Sequence, residues 1–112
     1  MSEPDVARGE VWWVSLDPTQ GAEIRKTRPC VVFTHNTLNR LRRTVVVIPL
    51  STAAKPHPPI TVQVTCQGQP AVAVVDQIRA VAKHRLKSRL EVMMPDDLSA
   101  ISRAISTILE IR

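Results

Sequence analysis

Two stretches decide how this chain reads: Arg8-Gly9-Glu10-Val11-Trp12-Trp13-Val14-Ser15-Leu16-Asp17-Pro18, and Thr27-Arg28-Pro29-Cys30-Val31-Val32. The first is a strand and its stop. Trp12, Val14 and Leu16 alternate with Val11, Trp13 and Ser15, and both sets are mostly apolar, so a strand over 10–16 is covered on most of its surface. Asp17-Pro18 ends it. Residues 17–27 form a loop rich in charge, bracketed by Glu23 and Arg28. Pro29 fits the first residue of a second strand over 30–34, because a later proline removes a ladder donor.

Working outward, residues 36–43 are polar and basic and predict a turn or one short helix. Residues 44–50 are β-branched almost throughout, a third strand. A loop over 51–59 is stiffened by Pro56, Pro58 and Pro59. Ile60, Val62, Val64 and Cys66 alternate with Thr61, Gln63 and Thr65, which predicts a half-buried strand with the first set inward. Gln67-Gly68-Gln69-Pro70 is a turn. Residues 71–75 and 78–81 are further short strands around Asp76-Gln77. The C-terminal segment changes period. Pro95, Asp96 and Asp97 suit a helix N-terminus, and Leu98, Ile101, Ile105, Ile108 and Leu109 form an apolar stripe, with Ile111 off it. Five to seven short strands closed by one amphipathic helix predict a small barrel with a C-terminal helix.

Composition narrows the function classes. A chain of 112 residues suits one compact domain over 1–112. With only Trp12, Trp13 and Phe33 as aromatics, the core must be Val, Ile, Leu and Ala. Fifteen Lys and Arg against ten Asp and Glu give a net charge of +5, which favours a polyanionic partner. Cys30 and Cys66 do not make a disulfide framework. Residues 1–7 lack the apolar stretch of a signal peptide. The longest apolar run, 45–50, falls far short of the ~20 residues needed to span a bilayer. A cytoplasmic protein with reduced thiols is expected.

Much familiar chemistry is missing. His35, His57 and His84 lack metal-ligand spacing, so no metal and no cofactor is expected. There is no glycine-rich phosphate loop and no Gly-x-Ser-x-Gly. What remains are polar residues at strand ends. Ser51 and Thr52 follow the third strand, as phosphate contacts or as hydroxyl turn formers. Asp76, flanked by Val74-Val75 and Ile78, needs partners if it is buried. Basic residues fall in three groups: Arg25, Lys26 and Arg28; Arg40, Arg42 and Arg43; and Lys83, Arg85, Lys87 and Arg89. If extended, the last group places four charges on one face, either as a phosphate-tracking surface or as a solvated edge. Trp12 and Trp13, inside the first strand, read as core or dimer packing rather than as base-stacking groups.

With these residues in order, the chain resembles the MazF/PemK family of toxin-antitoxin ribonucleases. The matching stretches are Arg8-Gly9-Glu10-Val11-Trp12, Leu16-Asp17-Pro18, Gly21-x-Glu23, Thr27-Arg28-Pro29, Asn39-Arg40, Val45 through Thr52, Asp76-Gln77-Ile78-Arg79, and Leu86 with the C-terminal helix. Some members carry His where Ala22 stands, many carry Gln-Gly-like residues at 24–26, and some carry Arg where Val74 stands.

The resemblance implies a mostly β fold with a C-terminal α-helix, an SH3-like small barrel of the MazF/CcdB type. It implies a homodimer that cuts single-stranded RNA without a metal and is held inactive by an antitoxin. Its arginine falls on Arg28, its hydroxyl on Ser51 with Thr52 beside it, and its acid on Glu23. RNA contacts are expected at Arg25, Lys26, Lys55, Asp76 and Gln77. RNA supplies its own nucleophile, the 2′-OH, so the site need only deprotonate it, align it and stabilise charge on phosphorus. Arg28 is suited to stabilise, because its fork matches two phosphate oxygens and stays charged. Glu23 is the candidate base. Two rivals stand beside this expectation: a non-catalytic gyrase poison of the CcdB type, which shares the barrel, and a plain RNA-binding barrel.

Overall fold

In the computed structural model, which describes residues 4–16 and 26–111, β1 (Glu10–Ser15) and β2 (Thr27–Val32) pair antiparallel. Val11 lies opposite Val31, Trp13 opposite Pro29 and Ser15 opposite Thr27. Beyond the last pair, Leu16 N–H donates to the Lys26 carbonyl at 2.9 Å, drawing the two chain segments together. Pro29 thus sits inside β2 rather than at its start. Residues 27–29 pair with β1 alone, because the ladder to β3 begins at Cys30 opposite Pro49. A one-sided position of that kind tolerates a missing N–H.

The chain then turns through α1 (Asn36–Leu41). The His35 Nδ1 accepts from Thr37 N–H at 3.0 Å, and buried Asn39 donates to the Thr34 carbonyl at 2.8 Å. β3 (Thr44–Ser51) is the longest strand and the organiser of the sheet. It pairs with β2 along one side. Its first half pairs with β6 (Arg79–Ala82), and its end pairs with β5 (Gln69–Val74) through Leu50–Ala73 and Ser51–Val72. β4 (Thr61–Cys66) and β5 form a hairpin whose two-residue turn has φ of 53° at Gln67 and 75° at Gly68. That left-handed pair matches the twist of the flanking strands. β7 (Leu86–Val92) pairs with β1 on its other edge. Among the described residues the strands follow the order β4-β5-β3-β2-β1-β7, with β6 on β3.

No ladder joins β4 to β7, so the sheet is not closed by main-chain pairing among the described residues. Side chains bridge the gap instead. Gln67 N–H donates to Glu91 Oε2 of β7 at 2.6 Å. Thr65 N–H donates to Asp97 Oδ2 at 2.9 Å, in the first turn of α2 (Pro95–Ile108). Two carboxylates thereby occupy donors that an open edge would leave for another strand.

The strands are apolar on both faces because each face has a core. Val11, Val31, Ile48, Leu50, Val64 and Ala73 pack with Ile101, Ala104 and Ile105 of α2. On the other face Trp12, Val14, Leu16, Cys30, Val32, Val45, Val47, Val81 and Leu86 form a second cluster. Alternate residues of one strand therefore feed different cores, which is why neither set in β1 reads as solvent-facing.

Three local expectations change. Ile60 is 43% exposed while Thr61 is buried. The Thr61 hydroxyl accepts from His57 N–H at 2.6 Å and donates to the Lys55 carbonyl at 3.1 Å, so its burial is satisfied and anchors the preceding loop. Second, Lys83, Arg85, Lys87 and Arg89 do not share a face, because Lys83–Arg85 form a 3₁₀ turn before β7. Lys83 is buried, and Arg89 pairs with Glu10 at 3.0 Å. Third, Leu109, expected on the apolar stripe, is more than half exposed beyond the end of α2, as is Ile111, expected off it.

Candidate functional site

The Arg8-Gly9-Glu10-Val11-Trp12 stretch is structural. The Arg8 guanidinium lies 4.5 Å from the Phe33 ring centre. Gly9, at φ 92°, donates to the Val32 carbonyl and accepts from Met93 N–H, both at 2.8 Å, and joins β2 to the link between β7 and α2. A side chain is strained at such a φ. Glu10 accepts from Ala7 N–H at 2.8 Å, from the Trp12 indole at 3.1 Å and from Arg89 at 3.0 Å. Burial works to raise the Glu10 carboxyl, but these donors outweigh it and hold it below the ordinary carboxylate value.

The chemistry-bearing residues meet elsewhere, in a cleft of about 490 Å³. β1 and β2 supply Trp13, Thr27, Arg28 and Pro29, with Lys26 at the neck of the first loop. The end of β3 supplies Leu50 and Ser51, followed by Thr52, and the β4–β5 hairpin supplies Cys66, Gln67, Gln69 and Ala71. The Val11–Glu91 register and the Glu91–Gln67 bond carry the hairpin tip toward β1. Twenty-three positions separate Arg28 from Ser51 in the chain, yet both line this one cleft.

Each expected site residue has a place. Arg28 is half-buried, and its charge acts on Cys30, as does that of Arg79. Burial nevertheless dominates and pushes the Cys30 thiol up to about 12. The Ser51 hydroxyl accepts from Ala53 N–H at 3.1 Å and Ala54 N–H at 3.2 Å, so it does form a turn, with its own proton left to donate. Thr52 is exposed beside it. Lys26 is exposed at φ 70°. Glu23 and Arg25 lie outside the described residues.

Lys55, Asp76 and Gln77 do not line this cleft. Lys55 is exposed and contributes its carbonyl to Thr61. Asp76 is not buried: Val75–Gln77 form a 3₁₀ turn that sends Val75 inward and Asp76 to the surface. Among the described residues of the three basic groups, only Lys26 and Arg28 line the cleft; Arg40 and Lys83 line a separate hollow against residues 4–7. No set of three His, Cys, Asp or Glu side chains is placed to hold a metal ion among the described residues.

The chain matches, over residues 7–109, the family described as PemK-like, MazF-like toxin of type II toxin-antitoxin system. It belongs to that family. It is 34% identical over 110 residues to the endoribonuclease PemK of Escherichia coli, covering 94% of this chain and 83% of that protein. It is 32% identical over 118 residues to the endoribonuclease MazF9 of Mycobacterium tuberculosis, covering 93% and 96%. In fold it is similar to MazF of Deinococcus radiodurans, with a TM-score of 0.85 over 99% of this chain and 100% of that one at 21% identity. A mycobacterial endoribonuclease solved with its cognate antitoxin gives 0.80 at 22% identity, over 96% and 97%. The mostly β, SH3-like architecture with its C-terminal helix is thus that of the MazF toxins.

Within this PemK/MazF-like frame, sequence reasoning missed Trp13, Cys66, Gln67 and Gln69. Trp13 read as packing, yet it is only half-buried and lines the cleft, while Trp12 is the core residue. No local signal marks the glutamines, since only the hairpin register and the bond to Glu91 bring them near β1. The Cys66 thiol is pushed up to about 11, by burial first and then by the Glu91 carboxylate.

Proposed function

We propose that this chain is a toxin that cuts single-stranded RNA, is neutralised by a cognate antitoxin, and works as a homodimer in the cytoplasm. The 1–112 chain acts as one domain in this reading. One observation carries it: Arg28, Ser51 and Thr52 line one cleft in a chain of the PemK/MazF family. The relatives named as endoribonucleases support it, and so does the net charge of +5. Among the described residues no helix is long and apolar enough to cross a membrane.

The chemistry is attack by the neighbouring 2′-OH. A base takes the 2′-OH proton, the oxygen bonds to phosphorus, and the P–O5′ bond breaks. The leaving oxygen gains a proton, giving a 2′,3′-cyclic phosphate and a 5′-hydroxyl. Arg28 forks to the non-bridging oxygens and stabilises their developing charge. Ser51 is already engaged by two main-chain N–H groups, so it fixes the turn and offers one donor. Thr52 is the freer hydroxyl for the phosphate. Glu23 takes the base role in this scheme, with Arg25 and Lys26 holding flanking phosphates.

Incubating labelled single-stranded RNA with the protein in EDTA tests the proposal. Cleavage with 5′-hydroxyl ends is expected. A 5′-phosphate product overturns the mechanism, and intact RNA across varied sequences overturns the nuclease reading in favour of a binding module or a non-catalytic poison.

A further inference from the structure

The cleft has a part that phosphate chemistry does not use. Trp13 forms an aromatic wall at its β1 side, half-buried, with no hydrogen bond from its indole N–H among the described residues. Facing elements supply Gln67 and Gln69, both exposed, whose side-chain amides also make no hydrogen bond there. Gln67 is held by its main chain instead: its N–H is bonded to Glu91, and its φ of 53° fixes it in the hairpin turn. Gln69 pairs with Cys66 at the first rung of that hairpin. Two amides with open donors and acceptors, at the β4–β5 turn and its first rung, thus line the same cavity as the Trp13 ring, Arg28 and Thr52.

An aromatic face stacks any unpaired base, and an amide reads a base edge through one donor and one acceptor. We propose that Trp13, Gln67 and Gln69 form a pocket for one splayed RNA base next to the scissile phosphate. Trp13 stacks the base, and the two glutamines set which base is accepted. This rests on the RNA-cleaving function proposed above. It makes the β4–β5 hairpin a specificity element. Glu91 is a positioning residue, acting through the Gln67 main chain.

A 2′-O-methyl single-stranded RNA tests binding apart from cleavage, because its nucleophile is blocked. With the intact protein, this RNA should quench tryptophan fluorescence. In Trp13→Phe, where buried Trp12 alone reports, the quenching should vanish. Trp13→Leu should bind about 10- to 100-fold more weakly, the range expected for losing one stacked base. Gln67→Gly, which suits the positive φ, and Gln69→Ala should keep the fold. On unmodified RNA they should relax base preference at one position beside the cut, leaving the other positions unchanged. Quenching that persists in Trp13→Phe, or an unchanged cut-site preference in both glutamine variants, overturns the proposal. If the native chain leaves RNA uncut but Trp13 is still quenched, the nuclease reading fails while the base pocket stands.

Discussion

Glu10 Oε1 accepts the indole N–H of Trp12 at 3.1 Å, two residues along the same strand. The same carboxylate holds Ala7 N–H and Arg89, so one side chain ties the N-terminal segment, β1 and β7 together. Its pKa lies below the ordinary carboxylate value, so the folded state prefers the ionised form. The stability this contributes is complete above the unfolded pKa, near 4.5, and is lost as pH falls through the lower folded value. Glu10→Gln should cost about 1–2 kcal/mol at pH 7 and should narrow the gap between mutant and native chain below pH 4. Urea melts at pH 7 and pH 3 check this; an equal penalty at both excludes the linkage.

Arg28→Ala should lower RNA cleavage by about 10²–10³-fold while the fold persists. Arg28→Lys should fall between, because it keeps the charge and loses the fork. Thr52→Val should reduce the rate more than it reduces stability. Ser51→Ala should reduce both, since the Ser51 hydroxyl also holds Ala53 and Ala54. Single-turnover cleavage rates and thermal melts on the four proteins separate these outcomes.

The β4 edge offers a stability test with no connection to phosphate. Asp97→Ala removes the acceptor of Thr65 N–H and one of the two acids in the first turn of α2. It should cost about 1–2 kcal/mol. Glu91→Ala should cost a similar amount and should also raise hydrogen exchange at Gln67, the amide it releases. Exchange at Gln67 that is unchanged in the variant rules out this bridge.

Both thiols are free and should be inert near neutrality. With pKa values of about 12 for Cys30 and about 11 for Cys66, each remains a neutral thiol at pH 8. At that pH the Cys66 thiolate is about one part in a thousand, against roughly a quarter for an unperturbed thiol. Iodoacetamide labelling should be slow at pH 8 and should rise tenfold per pH unit toward pH 11, at Cys66 before buried Cys30. Mass mapping of the labelled site gives the check.

Much of the architecture was legible from periodicity. The alternation in 10–16, the β-branched run at 44–50 and the 3.6-residue stripe after Pro95 mark elements whose faces are set by local spacing alone. Departures occur where a side chain's partner is distant. Thr61 is buried because the 55–57 loop folds onto its hydroxyl, and Ile60 is displaced outward. Lys83 turns inward because a 3₁₀ turn interrupts what reads as an extended basic run.

The sequence by itself determined the type of most elements and the family, and it marked Arg28, Ser51 and Thr52 as candidates at strand ends. These depend on residue order and short-range stereochemistry, which the chain carries wherever it folds. Only the tertiary structure decided that Trp13 rather than Trp12 faces the cleft and that Gln67 and Gln69 stand near it. It also decided that Asp76 does not line the cleft. The physical reason is that two cores cover the sheet, so apolar alternation in β1 cannot say which face stays open. Hairpin closure through Glu91 then assigns that open face a set of neighbours drawn from far along the chain.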